Sequence, residues 1–444
     1  MKSLRRFSNP LIAGTFLLTV TGLTSRIIGF FYRIFLSRAI GAEGLGIYQL
    51  IFPVFALCIA FSAAGIQTAI SRFVASDRTE DKSRLGMSFL YAGMVLSVAL
   101  SLILCILLHR YAQVIAARIL NEPRCANLLL VIAYSLPCAG IHACINGYYY
   151  GRKKTLVPAA TQLLEQSVRV ISVYVIFLIC REQGAAFTPI FAVWGIVCGE
   201  FASMLAALTC IRFRRHNGSL MKAGRELLRF ALPLTTSHVI YHIFVSVEAL
   251  LIPLQLKAFG YASEEALSVF GILNGMAMPM ILFPSVIVNS VSVLLMPTIS
   301  EAYANHDYRL IRQATKKTVT CCLLLGFACT FAFLLSGRFI GQYIFQNTLA
   351  GNFILILSWI CPFLYLSTTL SSILHGLGRA VSGFFISLSG CCIRILFIFC
   401  FIPVYGIRSY LYGLLASELL TGALALIILH RGRHRIEGST KAAQ

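Results

Sequence analysis

The sequence predicts an all-α integral membrane protein of about twelve transmembrane helices, built as two repeats of six. Hydrophobic residues make up 58% of the 444 residues and charged residues only 12%, against roughly 25% charged in soluble proteins. Apolar stretches of about 20 residues, long enough to cross a bilayer core of roughly 30 Å, recur along the whole chain. These stretches are continuously apolar rather than alternating, which excludes a transmembrane β-barrel.

Each predicted span is an apolar stretch bounded by polar or basic residues. The first stretch lacks a small-residue cleavage site, so we interpret it as a retained helix rather than a signal peptide. The predicted spans lie near residues 11–34, 46–70, 86–108, 127–148, 156–180, 187–211, 230–254, 267–297, 317–336, 352–375, 381–402 and 408–430.

The distribution of Lys and Arg predicts the orientation in the membrane. With the N-terminus placed inside, the inside segments hold 25 basic residues and the outside segments hold 8. The positive-inside rule therefore places both termini in the cytoplasm and the protein in the cell membrane. The same rule accounts for the formal net charge of +21, and no nucleic-acid-binding motif accompanies the basic residues, so we expect no nucleic-acid partner.

Matching residues recur along the chain at an almost constant offset, which indicates an internal duplication. The triplet 168–170 recurs as 393–395, an offset of 225, and the pair Gly195 and Glu200 recurs at an offset of 218. Six spans per repeat give both halves the same topology, as in parallel-repeat transporters. We therefore predict four segments: an N-terminal lobe at 1–216, a cytoplasmic linker at 217–229, a C-terminal lobe at 230–434 and a cytoplasmic tail at 435–444.

Four arginines inside the predicted spans are candidate ligands for an anionic substrate: Arg26, Arg33, Arg169 and Arg394. Arg169 and Arg394 each lie 15 residues beyond a predicted cytoplasmic loop, about 22 Å into the membrane. A charge facing lipid at that depth costs at least ~2.5 kcal/mol, so these side chains should face a cavity or the bundle interior. Guanidinium binds phosphate bidentately, which suits an anionic headgroup. Pairing of Arg169 with Glu165, at i,i+4, is the alternative.

Four glutamates inside the spans are candidates for coupling or gating: Glu165, Glu200, Glu248 and Glu418. Glu200 and Glu418 occupy matched positions in the two repeats, and each could bind a proton or cation or could be a protonated carboxyl hydrogen-bonded to a neighbouring helix. Glu248 is expected at the same depth as Arg26, so the two could form an ion pair between the lobes. We expect Gly195 and Gly199, spaced as GxxxG, to serve helix packing.

The sequence gives no positive signal for metal, cofactor or catalytic chemistry. The 15 cysteines lie mostly in apolar runs without CxxC spacing, so we expect neither a disulfide framework nor a zinc site. His238 and His242, at i,i+4, lack the HExxH pattern and a third ligand. We therefore predict no metal, no cofactor and no catalytic residues, and a transporter rather than an enzyme.

Several motifs resemble the branch of the multidrug/oligosaccharidyl-lipid/polysaccharide flippase superfamily that contains stage V sporulation protein B and polysaccharide exporters. The matching motifs are SRIIGFFYR at 25–33, SRAIGAEGLGIY at 37–48, GIQTAIS at 65–71, GMAMP at 275–279 and LMPTISE at 295–301. The chain is also similar to the lipid II flippase, whose first helix carries an arginine pair that lines a basic cavity. Arg26 and Arg33 match that pair, with a spacing one residue longer.

The resemblance implies two six-helix lobes in an inverted V that flip a polyprenyl-pyrophosphate-linked saccharide, a precursor of cell wall, spore cortex or polysaccharide. Many members of the branch carry two further C-terminal helices, so a lipid-tail groove, if present, is expected to form differently here. The expected partners are the lipid-linked substrate, membrane lipids and wall- or polysaccharide-synthesis proteins. The alternatives are an ion-coupled multidrug exporter of the same fold, a membrane-bound transferase, and a non-transporting scaffold for wall or spore assembly.

Overall fold

The computed structural model describes residues 10–76, 82–211, 219–305 and 307–442, and this part of the chain is helical, with no strand. The first ten helices are α1 Pro10–Ala39, α2 Gly41–Leu50, α3 Phe52–Ile59, α4 Gly65–Ser76, α5 Lys82–Val114, α6 Cys125–Ala133, α7 Ser135–Gly151, α8 Leu156–Glu182, α9 Pro189–Cys210 and α10 Leu220–Phe259. The remaining helices are α11 Ser263–Gly271, α12 Met278–Leu282, α13 Ser285–Ala304, α14 Tyr308–Phe339, α15 Thr348–Leu357, α16 Cys361–Gly376, α17 Ala380–Tyr405 and α18 Ile407–Ala442.

The helices confirm the membrane class of the fold. Ten helical stretches of the described chain are long and apolar enough to span a membrane, and α6 with α7, bent by 42°, make an eleventh. α1, 30 residues long, covers the first predicted span. The count of twelve is compatible with these helices and stays a prediction.

The chain divides into two compact units, Met1–Leu250 and Leu251–Gln444, which we call the N-terminal and C-terminal units. Helix α10 begins in the first unit and ends in the second. Residues 212–218 of the connection before α10 lie outside the described residues. The lobe and linker boundaries that we derived from the sequence stay a prediction.

Backbone irregularities recur in the two units at the offset of 225 and support the duplication. A π-helical turn at Ile115–Ile119 recurs at Ile340–Ile344. Asn121 (φ 54°) corresponds to Gln346 (φ 52°), and Lys153 (φ 57°) corresponds to Gly378 (φ 74°). Because few non-glycine residues adopt positive φ, their recurrence at matched positions means that the two units end equivalent helices with the same turns.

Several of the predicted spans are interrupted in the structure, the second and the eighth among them. The second span comprises α2 to α4, with a π-helical turn at Ala60–Ala64. The eighth comprises α11 to α13, with a π-helical turn at Ile272–Ala277 and a break at Pro284. Proline at this break lacks a backbone N–H and cannot continue the hydrogen-bond ladder of the preceding helix.

Candidate functional site: an ionisable cluster in the N-terminal unit

Two glycines let α9 pack directly on the backbone of α8, as the GxxxG spacing predicts. A Cβ atom at Gly199 would lie 2.8 Å from the carbonyl oxygen of Glu165, and one at Gly195 would lie 3.1 Å from that of Arg169. Real Cβ atoms essentially never come within 3.0 Å of another heavy atom, so Gly199 permits an approach that any larger residue would prevent, and the contact at Gly195 is tighter than most real Cβ contacts. The close packing brings the side chains of α8 next to Glu200 on α9.

We expect Gly199→Ala to destabilise the protein by about 1–3 kcal/mol, because the added methyl group would overlap backbone atoms that cannot rotate away. Thermal unfolding of the purified protein measures this loss. Gly22→Ala on α1 is the matched control, since a Cβ atom there meets nothing within 4 Å. Equal unfolding temperatures for the two variants would show that the α8–α9 contact tolerates a side chain.

The central feature of the site is a cluster of four ionisable side chains from three helices, which we call the ionisable cluster: His142 on α7, Glu165 and Arg169 on α8, and Glu200 on α9. Nη2 of Arg169 lies 2.5 Å from Oε1 of Glu165, and Nδ1 of His142 lies 3.8 Å from Oε2 of Glu200. The side chains of the four residues are only 9–17% exposed. The i,i+4 pairing of Glu165 with Arg169, which the sequence left as an alternative, is therefore present.

Three polar neighbours surround the imidazole of His142. Its Nε2 atom lies 3.0 Å from Oγ1 of Thr161 and 3.0 Å from Nδ2 of Asn146, and its Nδ1 atom lies 3.3 Å from Oγ of Ser203. One oxygen or nitrogen atom each of His142, Glu165 and Glu200 lies within 4.8 Å of the others. This arrangement of one imidazole and two carboxylates could bind a proton or another cation.

Arg33 on α1 and Arg169 on α8 lie within electrostatic range of each other, so their positive charges repel, and Tyr48 on α2 lies within range of both. Helices α1 and α8 pack together, which sets this approach. Nε of Arg169 is buried and has no hydrogen-bond partner among the residues that the structure describes. Two guanidinium groups with an unsatisfied donor form a concentration of positive charge that an anion could neutralise.

The C-terminal unit carries the matching residues in a simpler arrangement. Glu418 accepts a 2.5 Å hydrogen bond from the hydroxyl of Ser367 on α16, and Arg394 donates to Oγ of Ser417 at 2.9 Å and to Sγ of Cys391 at 3.2 Å. Arg394 also interacts electrostatically with Glu418. The two charges of this C-terminal pair, Arg394 and Glu418, therefore compensate each other within their own unit.

The remaining predicted site residues lie apart from the ionisable cluster. Arg26 is exposed on α1, and Glu248 is 7% exposed on α10. The predicted pairing of Arg26 with Glu248 stays a prediction, as do the roles assigned to all eight predicted residues. His238 is exposed and His242 is half-buried on α10.

A second ionic group joins α2 to the turn between α5 and α6. Arg124 lies 2.6 Å from Glu43 and 2.6 Å from Glu122, and Glu122 is 4% exposed. The hydrogen bonds that Arg124 donates to Glu122 and to Glu43 raise the pKa of its guanidinium above its usual value. The group therefore holds a turn in place, and Arg124 pairs with both carboxylates.

Sequence reasoning missed His142 and its neighbours Asn146, Thr161 and Ser203. A neutral imidazole inside an apolar span adds nothing to a count of formal charges, and only packing reveals that it meets two carboxylates. The repeat carried one signal that could have pointed to His142. At the offset of 225, His142 corresponds to Ser367, so the N-terminal repeat has an ionisable residue where the C-terminal repeat has a hydroxyl.

Two protein-family models match parts of this chain. The model of the family described as polysaccharide biosynthesis protein matches residues 11–303. The chain belongs to this family. The MatE model matches residues 254–400. Its apolar helices make this member of the family a multi-pass membrane protein.

Individual relatives agree with this assignment. The chain is 27% identical to stage V sporulation protein B of Bacillus subtilis (strain 168), covering 94% of this chain and 82% of the relative. It is 24% identical to lipid II flippase MurJ of the same organism, covering 84% and 74%. The structure of a lipid II flippase MurJ in an inward closed conformation superimposes with a TM-score of 0.75 at 17% identity, covering 94% and 87%.

Proposed function

We propose that this protein flips a polyprenyl-pyrophosphate-linked saccharide, a precursor of cell wall, spore cortex or polysaccharide, outward across the cell membrane by alternating access. The observation that carries the proposal is the approach of Arg33 to Arg169 together with the unpartnered Nε of Arg169. Charge-assisted hydrogen bonds to phosphate would satisfy these groups. The named flippase relative and the polysaccharide biosynthesis family support the same class of cargo.

In this proposal the arginines bind the pyrophosphate and the acids respond to it. Arg26, Arg33, Arg169 and Arg394 act as substrate ligands, and Glu165, Glu200, Glu248 and Glu418 act in coupling or gating. In this proposal the cargo crosses the membrane without a covalent step, and the protein acts as a transporter rather than as an enzyme. Its partners are the lipid-linked saccharide, membrane lipids and the proteins that synthesise the wall or polysaccharide.

A multidrug exporter is the second candidate, because the MatE model matches residues 254–400. The two candidate functions differ in the cargo that the protein would transport. In proteoliposomes, we expect the protein to flip fluorescent lipid II, used as a pyrophosphate-linked probe, and not to accumulate a cationic dye such as ethidium. Ethidium transport without lipid II flipping would favour the exporter, and neither activity would favour the scaffold.

Both termini are proposed to lie in the cytoplasm, with the segment before α10 on the same side. In a cysteine-free background, a single cysteine at Ser219 should react with a membrane-impermeant maleimide only after the cells are opened. A cysteine at Gln183, after α8, should react in intact cells. Both positions are exposed, so the comparison is matched, and labelling of Ser219→Cys from outside would contradict the orientation.

A further inference from the structure

Helix α1 packs on α8 and on α2, and it buries a stripe of polar side chains. Thr21, Ser25 and Tyr32 are 6–7% exposed and, being four and seven residues apart, share one face of the helix. The hydroxyl of Thr21 donates to the carbonyl oxygen of Leu17 at 2.9 Å, within its own helix. A serine can turn its hydroxyl to the same kind of acceptor, whereas the rigid ring of a tyrosine holds its hydroxyl away from its own backbone. Tyr32 therefore needs a partner from outside α1.

The hydroxyl of Tyr32 is buried and has no hydrogen-bond partner in the described part of the chain. Its electrostatic neighbours are Tyr48 on α2 and Arg169 on α8, so it lies where the three helices meet. Tyr48 is beside it, but the two hydroxyl groups do not meet the geometry of a hydrogen bond. A buried hydroxyl without a partner is costly, so a ligand that accepts its hydrogen would be stabilised there.

Arg169 supplies a second unpaired donor at the same place. Its Nη2 atom is held by Glu165 at 2.5 Å, which restrains the plane of the guanidinium group. Its Nε atom stays buried without a partner among the described residues. Since Arg169 and Tyr32 lie within electrostatic range of each other, one ligand could accept hydrogen from both.

The charge around these donors is positive. The electrostatic neighbours of Tyr32, Arg33 and Tyr48 within the described residues are one another and Arg169, and no carboxylate is among them. The two acids of the ionisable cluster have Arg169 as a neighbour but none of the other three. Guanidinium and hydroxyl groups that converge without an acid are suited to an oxyanion such as phosphate.

The C-terminal unit offers no equivalent group. Arg394, which corresponds to Arg169 at the offset of 225, donates to Ser417 and to Cys391 through its two Nη atoms. Leu273 stands at the position that corresponds to Tyr48. The converging hydroxyl and guanidinium donors are therefore a feature of the N-terminal unit.

We propose that Tyr32 and Nε of Arg169 donate hydrogen bonds to one phosphate group of the cargo, with Arg33 and Tyr48 beside it, and that Tyr32 is a specificity-determining residue of this oxyanion site. The identity of the cargo rests on the flippase function proposed above, whereas the oxyanion site does not. A tyrosine hydroxyl is neutral, so it adds a directed hydrogen bond without adding to the repulsion between the two arginines. The arginines supply the charge, and Tyr32 fixes the position of a phosphate oxygen.

Binding of polyprenyl pyrophosphate to the purified protein tests this role, because Tyr32→Phe removes the hydroxyl and keeps the ring. The variant should bind the pyrophosphate about 10-fold more weakly than the wild type, as expected for one hydrogen bond to a charged group. Its binding of the uncharged polyprenol of the same length should not change. Tyr174→Phe on α8, which alters a tyrosine that is 50% exposed, should bind both lipids as the wild type does.

Thermal unfolding without ligand separates a binding role from a structural one. Tyr32→Phe should be at least as stable as the wild type, because it removes a buried hydroxyl that has no partner in the protein. Tyr365→Phe is the contrasting variant, since the hydroxyl of Tyr365 donates to the carbonyl oxygen of Ile281 at 3.3 Å. It should lose stability and keep its affinity for pyrophosphate. A Tyr32→Phe protein that loses stability as Tyr365→Phe does would overturn the proposal.

Infrared difference spectroscopy with isotope-labelled tyrosine observes the hydrogen bond itself. Adding polyprenyl pyrophosphate should shift the C–O stretch of a tyrosine in the wild type and in Tyr174→Phe, and Tyr32→Phe should lack this shift. The same shift in Tyr32→Phe would assign it to another tyrosine and overturn the proposal. A wild-type spectrum without any ligand-dependent change would do the same, because the hydroxyl would then keep another partner, such as a bound water molecule.

Inorganic pyrophosphate distinguishes failure of this inference from failure of the proposed function. If the wild type prefers polyprenyl pyrophosphate to polyprenol but Tyr32→Phe binds as tightly, the flippase cargo stands and the role of Tyr32 is wrong. If the wild type shows no preference between the lipids but binds inorganic pyrophosphate about 10-fold more tightly than Tyr32→Phe does, the oxyanion site stands and the lipid-linked cargo is wrong. If the wild type binds neither pyrophosphate, both are wrong.

Discussion

Arg33→Ala should slow lipid II flipping by about 10- to 100-fold while leaving the protein as stable as the wild type or more so. Loss of a charge-assisted hydrogen bond to pyrophosphate costs about 1.5–3 kcal/mol, and each 1.4 kcal/mol is a factor of about ten. Stability should not fall, because Arg33 is exposed and repels Arg169 in the absence of an anion. A function-specific loss of this kind separates a binding residue from a structural one.

Arg181→Ala is the matched control, since Arg181 is an exposed arginine in the last turn of α8, the helix that carries Arg169. Its flipping rate should equal that of the wild type. Arg33→Lys should recover part of the rate, because charge is kept while the bidentate geometry is lost. Equal rates for Arg33→Ala and Arg181→Ala would remove Arg33 from the binding site.

Glu165→Ala should destabilise the protein by about 3–5 kcal/mol, because the half-buried Arg169 guanidinium would lose the carboxylate that lies 2.5 Å away. Thermal unfolding in detergent measures this loss. Glu182→Ala, an exposed glutamate at the end of the same helix, should change stability little.

A double variant distinguishes loss of the ion pair from loss of packing. Glu165→Leu/Arg169→Met replaces both charges with apolar groups, which is often close to neutral for stability. Its unfolding temperature should therefore be well above that of Glu165→Ala, and it should fail to flip substrate. A double variant as unstable as Glu165→Ala would indicate that packing, and not the unpaired charge, causes the loss.

The sequence predicted the membrane class and the duplication because both depend on patterns that extend over the whole chain. Apolar length identifies a span whatever its neighbours are. The offset of 225 that relates Arg169 to Arg394 also relates the backbone turns at Asn121 and Gln346, where the residue types differ. The matching backbone turns therefore support the internal duplication that the residue matches indicate.

The breaks within spans were less predictable. The sequence predicted one span at 46–70, where the structure has α2, α3 and α4 with a π-helical turn. A π-helical turn depends on how neighbouring helices pack, and it leaves no distinctive residue in the sequence. Pro284, by contrast, marks its break directly.

The sequence predicts only part of the candidate site, because formal charge is visible in a sequence and contacts between helices are not. Formal charges identified Glu165, Arg169 and Glu200, and helix periodicity identified the Glu165–Arg169 pair. The approach of Arg33 to Arg169 and the position of His142 between α8 and α9 depend on contacts between helices, which periodicity within one helix cannot supply.

Binding of a polyprenyl pyrophosphate to the purified protein tests the anion site most directly, with the uncharged polyprenol of the same length as reference. The wild type should bind the pyrophosphate at least about 10-fold more tightly than the alcohol, in line with one charge-assisted hydrogen bond. Arg33→Ala should lose most of this preference and Arg181→Ala should keep it. Equal binding of the two lipids by the wild type, or an undiminished preference in Arg33→Ala, would contradict the account.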